Sequence, residues 1–142
     1  MAYRYDEAQS RYGGPIDDII NLDPIDIQDQ IKVILPDKPL DEATPAQITA
    51  DINNFSLADA ILTRFSTDAA RTITGFGGAK AGIKWIANVG GFNLVLAHDN
   101  ASSDAENRIL SHSLANITLT PGQYAIMTYD FTSTRWRAGK LT

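Results

Sequence analysis

Five of the six prolines, Pro15, Pro24, Pro36, Pro39 and Pro45, fall within the first 45 of 142 residues, and no other feature restricts the folding of this chain as strongly. A proline lacks the amide hydrogen that helices and central strands use, and it pushes the preceding residue into extended geometry. Spaced as they are, these five leave no room for a long helix or an interior strand. The glycines divide at nearly the same place, with eight of ten from Gly75 onward. Charge divides too: residues 1–50 carry ten acids and four bases, and residues 51–142 carry seven acids and eight bases. The net charge of −5 is therefore a segment of −6 joined to a segment of +1. These shifts predict an extended, proline-rich acidic arm over residues 1–44 and a folded domain over residues 45–142.

The arm is more than a solvated tail. Ile16, Ile19, Ile20, Leu22, Ile25, Ile27, Ile31, Val33, Ile34 and Leu35 form an aliphatic series that disordered acidic segments do not normally carry. Residues 28–35 resemble a short strand ending at Pro36. The series fits packing on the chain's own domain and packing on a neighbouring subunit equally well. Together with Tyr3 and Tyr5, Ile16, Ile19, Ile20, Leu22, Ile25, Ile27, Ile31, Val33 and Leu35 are the candidate partner-binding residues.

From residue 46 onward the pattern is that of strands. Runs rich in branched and aromatic residues recur at 47–52, 60–66, 71–76, 83–89, 92–98, 107–110, 116–120, 123–130 and 134–138. Turn residues separate them at Gly77-Gly78, Gly90-Gly91, Asp99-Asn100, Pro121-Gly122 and Ser133. Ile117 and Leu119 alternate with threonines, so they share one face. Short strands at this spacing predict an all-β sandwich or barrel. Thr44-Pro45-Ala46-Gln47 fits a helix capping box, and residues 104–111 could make a helical turn, but an edge strand over 47–52 is the stronger expectation.

Several function classes are disfavoured at once. With no cysteine there is no disulfide framework, thiolate metal site or thiol nucleophile. The first residues lack the apolar region of a signal peptide, and no stretch is long and apolar enough to span a bilayer. The expectation is a protein made in the cytoplasm with no membrane partner. Net acidity argues against nucleic acid, whose phosphates require clustered Lys and Arg.

No motif carries chemistry. Gly75-Phe76-Gly77-Gly78-Ala79-Lys80-Ala81-Gly82 departs from both phosphate-loop patterns and is expected to be a flexible hairpin between strands. His98-Asp99-Asn100-Ala101-Ser102-Ser103-Asp104 gathers a histidine, acids and hydroxyls, yet neighbouring side chains on a strand point to opposite faces, so a polar loop is expected. His112 lacks a second histidine at ligand spacing. Trp85 and Trp136, with Phe65, Phe76, Phe92, Tyr124, Tyr129 and Phe131, could line a sugar-binding face, although rings in such folds mostly serve the core or a subunit contact. Arg135-Trp136-Arg137 suits a charged edge strand. No catalytic, cofactor or metal site is expected.

Residues 47–138 resemble a small β module of tailed-bacteriophage virion proteins, found in head decoration and fibre proteins and in tail and baseplate components. The resemblance rests on Gln47-Ile48-Thr49 with Asn53-Asn54-Phe55, residues 63–69 with 71–76, Ile86-Ala87-Asn88-Val89-Gly90, and residues 94–98. It continues through Ser102-Ser103, Asn107-Arg108-Ile109, Leu119-Thr120-Pro121-Gly122, Tyr129-Asp130 and Arg135-Trp136-Arg137. It implies a jelly-roll-like antiparallel β-sandwich, a homotrimer, no enzymatic activity and a structural place in a virion. With neither shaft nor internal repeat in the sequence, it further implies a decoration, or cement, protein that binds the major capsid protein or other virion subunits through its arm. A tail, baseplate or short-fibre component, or a carbohydrate-binding adhesin module, is the alternative.

Overall fold

In the computed structural model the described residues are 41–142. They form eleven strands and one 3-10 turn, an all-β fold. Three parallel coils come first. β1 (Glu42–Ala43) and β2 (Phe55–Leu57) belong to the first coil, and β3 (Leu62–Phe65), β4 (Arg71–Ile73) and β5 (Phe76–Gly78) to the second. β6 (Ile83–Asn88) and β7 (Leu94–Leu96) belong to the third. Each coil pairs in parallel with the next, Glu42 opposite Leu62, Phe55 opposite Phe76, Leu62 opposite Trp85 and Ile73 opposite Leu96. Isolated bridges from Ile48 to Thr67 and from Ile52 to Ile73 run the same way. The offset stays between 19 and 23 residues, so each circuit returns a position beside its counterpart one strand spacing away.

The remaining strands close this stack. They are β8 (Ile109–Ser111), reached through a 3-10 turn at Ala105–Asn107, β9 (Ile117–Leu119), β10 (Tyr124–Asp130) and β11 (Arg135–Lys140). β10 and β11 form an antiparallel hairpin with Tyr129 opposite Trp136, β10 also lies antiparallel to β6, and β9 lies antiparallel to β7. β8 joins β11 in parallel. Three sheets result: six strands in the order β1-β3-β6-β10-β11-β8, three in the order β4-β7-β9, and the pair β2-β5.

Four expectations are corrected here. The fold is all-β but not a jelly-roll-like antiparallel sandwich, because five of the eight strand pairings among the described residues are parallel, whereas jelly rolls are built from antiparallel Greek keys. The glycine-rich segment 75–82 is not a hairpin, since β5 and β6 lie in different sheets and the chain between them turns a corner. Arg135-Trp136-Arg137 is not on an edge, since β11 sits between β10 and β8. The capping box at Thr44 forms no helix, and the run 47–52 contributes only the two bridges at Ile48 and Ile52.

Alternation places one set of side chains of every sheet inside. Phe65, Ile73, Phe76, Ile86, Leu94, Leu96, Ile109, Leu119, Met127 and Trp136 are buried in one cluster. Phe55 and Phe76, equivalent positions of successive coils, meet edge to face at 6.3 Å, and Phe76 meets Trp136 in the same way at 6.3 Å. The Trp136 indole N–H donates to the Phe76 carbonyl at 2.8 Å, so the largest buried side chain is also satisfied. Polar groups pin the loop before β8: Ser103 Oγ accepts from the Asn54 amide at 2.9 Å and lies 2.7 Å from Thr74 Oγ1, and Asn107 Nδ2 donates to Asn54 Oδ1 at 2.9 Å.

Two glycines turn these coils for different reasons. Gly78 has φ +74, and a Cβ there would stand 2.3 Å from the Leu57 carbonyl oxygen of the coil below, whereas Gly82 has φ +73 and open space around it. A left-handed non-glycine residue costs about 1–2 kcal/mol, and overpacking adds about 1–3 kcal/mol. Gly78→Ala should therefore lose about 3 kcal/mol in urea unfolding against about 1 for Gly82→Ala. Equal losses would show that the backbone of the first coil yields freely.

Candidate functional site

The arm residues Tyr3, Tyr5, Ile16, Ile19, Ile20, Leu22, Ile25, Ile27, Ile31, Val33 and Leu35 lie outside the described residues. The interval assigned to the arm reaches the fold at its end, because Glu42–Ala43 is β1. Within residues 41–142 the feature that needs an explanation is the outward face of the six-stranded sheet.

Strand register assembles that face row by row. Leu62, Trp85, Ile126 and Gly139 stand side by side across four strands. Ile83, Thr128, Arg137 and Leu110 make a second row, and Arg64, Ala87 and Tyr124 a third. Ile83 is 51% exposed and Tyr124 43%, while Leu62, Trp85, Ile126 and Leu110 are half-buried. A sheet with one solvated face normally alternates apolar inside and polar outside. Here the outward phase is largely apolar at its centre, with Ile83, Trp85 and Ala87 on β6 and Tyr124 and Ile126 on β10. A surface cleft lined by Leu110, Leu114, Ile126, Thr128, Arg137 and Gly139 runs along it.

The charges on this face are engaged within the chain. Arg64 lies 4.0 Å from Glu42, and Arg137 donates to Asp130 at 3.1 Å. Arg135 Nη1 donates to the Thr134 carbonyl at 3.0 Å. Asp130 also accepts from the Ser133 hydroxyl at 2.8 Å and from the Ser133 and Thr132 amides, closing the β10–β11 turn. The Ser133 hydrogen bonds, then that from Arg137, hold the Asp130 carboxyl down at about 2 against the burial that opposes them. A value below the ordinary ~3.9 of an unfolded aspartate gives a contribution fully present above that pH and lost as pH falls through about 2. Carboxyl carbon titration by NMR should find this midpoint, and Asp130→Asn should flatten the acid limb of stability between the two values. A midpoint at the unfolded value would mean the turn bonds do not hold in solution.

Lys84 is buried on the inner side of β6, where it donates to the Ala60 carbonyl at 2.9 Å and lies 3.7 Å from Asp59, so its charge plugs one end of the core. Lys80 Nζ donates to Asn107 Oδ1 at 2.8 Å and stands 4.9 Å from the Tyr129 ring.

The remaining sequence candidates separate clearly. His98 Nδ1 accepts from the Ser111 amide at 3.0 Å, and Ser111 Oγ donates to the Ala115 carbonyl, so histidine and serine join the loops around β8 to each other. Asn100 Oδ1 accepts from the Ser102 amide at 2.8 Å, an Asx turn as expected of a polar loop. Among the described residues no group of three or more His, Cys, Asp or Glu side chains is placed to hold a metal, and no helix is long and apolar enough to cross a membrane. Trp136 is wholly buried and offers no face to a sugar, whereas Trp85 lies at the centre of the outward apolar row. Sequence reasoning named Trp85 and Tyr124 as rings and missed Leu62, Ile83 and Ile126 as a surface. The signal was present in the adjacent apolar pair Ile126-Met127, one of which must face outward.

No protein-family model, curated protein or solved structure matches this chain.

Proposed function

We propose that this protein is a non-enzymatic structural component of a tailed-bacteriophage virion, a capsid decoration (cement) protein that binds the assembled shell through its N-terminal arm. The reading is carried by the outward face of the six-stranded sheet, whose apolar row through Leu62, Trp85 and Ile126 suits an assembly surface rather than a site of chemistry. The acidic, aliphatic, proline-stiffened arm supports it, since an extended segment covers a large partner surface with few residues. The major capsid protein is the proposed partner and a homotrimer the proposed state. Reinforcement then follows from mass action, because a ligand that binds only the assembled shell stabilises it by its binding free energy.

A tail, baseplate or short-fibre position would use the same arm on a different partner. A sugar-binding adhesin is less well supported, because Leu62 and Ile126 beside Trp85 offer sugar hydroxyls no hydrogen-bond partner. Immunogold labelling of virions from cells that make the protein tests the reading. Label on heads is the expected result, label on tails would move the protein to the alternative position, and virions without label would overturn the assignment.

A further inference from the structure

We infer that the cleft between the end of β11, β9 and the loop joining β8 to β9 is a binding site for the phosphoryl group of a small phosphate monoester. The cleft encloses about 480 Å³, and its polar lining is His112, Ser113, Asn116, Thr118, Gly139 and Lys140. That volume suits a small molecule and exceeds what a bare phosphate ion fills, so the phosphoryl group carries a body with it. The inference is independent of the virion reading. Three observations select the ligand.

The first is charge. Arg64, Arg71, Lys84, Arg108 and Arg137 each lie within 4.0 Å of a carboxylate, whereas Lys140 has none among the described residues. Its Nζ donates to the Thr118 carbonyl at 2.9 Å, which uses one of the three donors an ammonium carries. No acidic side chain lines the cleft. Unmatched charge of one sign selects a partner of the other, and a phosphate monoester brings close to two negative charges at neutral pH. The second is the donor set, which distinguishes Lys140 from Lys80 and Arg135. Asn116 Oδ1 accepts from the His98 amide at 2.9 Å, which fixes the side-chain amide and leaves Nδ2 to donate. Ser113 Oγ stands 3.5 Å from Ser111 Oγ, at the limit of a hydrogen bond, so its proton is available too. Ammonium, amide and hydroxyl donors from separate segments thus line one space, an arrangement that serves the several oxygens of a tetrahedral group. A planar carboxylate is instead matched best by the paired N–H groups of an arginine. The third is Gly139. It lies within β11 without a left-handed φ, and a Cβ there would meet no atom within 4 Å. Neither backbone conformation nor packing within the chain requires a glycine at this position, although glycine weakens a strand. A strand glycine of this kind marks the close approach of a ligand, and Gly139 lines the cleft beside Lys140.

Titration of the full chain with glucose 6-phosphate, followed by amide NMR, tests the site. The amides of Ser113, Asn116, Gly139 and Lys140 should shift, inorganic phosphate should shift the same amides at higher concentration, and glucose should shift none. Lys140→Gln should weaken binding by about tenfold or more, through loss of a charge-assisted hydrogen bond. Gly139→Leu should block binding while its urea midpoint stays at or above the wild-type value, a pairing that a glycine kept for the fold alone would not give. Glucose 6-phosphate without effect on these amides at millimolar concentration, equal shifts with glucose, or unchanged affinity in Lys140→Gln would overturn the site.

Discussion

Trp136→Ala should be the most damaging single change in the folded part, with a loss of about 5 kcal/mol. Truncating a buried tryptophan costs about 3–5 kcal/mol through lost transfer energy and the cavity left behind. The lost indole hydrogen bond to Phe76 adds about 1 kcal/mol. Against a total of about 5–15 kcal/mol for ordinary domains, this removes between about a third of the stability and all of it. The neighbours cannot collapse into the space, because Phe76 and Tyr129 each meet the indole edge to face from separate strands. Trp136→Phe, which keeps most of the volume and loses the N–H, should lose about 1–3 kcal/mol, and Trp85→Ala less than about 1 kcal/mol for the isolated chain. Urea unfolding followed by circular dichroism ranks the three. A Trp136→Ala variant with a near-wild-type midpoint would mean that the three sheets do not share one core.

Removing residues 1–40 should weaken shell binding by at least about a hundredfold, a difference of about 2.7 kcal/mol or more. The deletion stops there because residues 42–43 pair with β3 and belong to the sheet. The arm carries ten aliphatic residues between Ile16 and Leu35, and even partial burial of such a series exceeds that threshold at about 25 cal/mol per Å². Far-ultraviolet circular dichroism of the truncated protein should retain its strand signal, and co-sedimentation with undecorated shells should fail. Unchanged decoration by the truncated form would place the anchor in the folded part and overturn the proposed role of the arm.

Most of the longer strands were legible in the sequence to within a residue or two, whereas the run 71–76 is two strands of different sheets, β4 and β5, and Gly77-Gly78, read as a turn, lie within β5. The run 83–89 is β6 over Ile83–Asn88, and the run 123–130 is β10 over Tyr124–Asp130. Alternation reports such strands because it is a property of one segment against one core. It does not report which segment lies alongside. The parallel offset of 19 to 23 residues is set at the corners, where Gly75 would bring a Cβ to 2.6 Å from the Asn107 carbonyl oxygen and Gly78 takes a left-handed φ. Both glycines read as punctuation of a hairpin, since nothing local distinguishes a corner between sheets from a turn within one. β2 was missed for a related reason: Phe55–Leu57 follows two asparagines and becomes a strand only by pairing with β5. The apolar outward face was legible in principle, because Trp85-Ile86 and Ile126-Met127 put apolar residues in both alternating phases, which requires cover on both sides.

The position of β11 in the six-stranded sheet also fixes an order of events during synthesis. β8 is made about 25 residues before β11, yet its only ladder among the described residues is with β11, and Trp136 on β11 fills the centre of a core whose other walls are already in place. Before residues 124–140 are added, the three coils stand with an unfilled interior and an unpaired edge at β6. The core therefore closes only when β11 joins β10 and β8 and brings Trp136 inside.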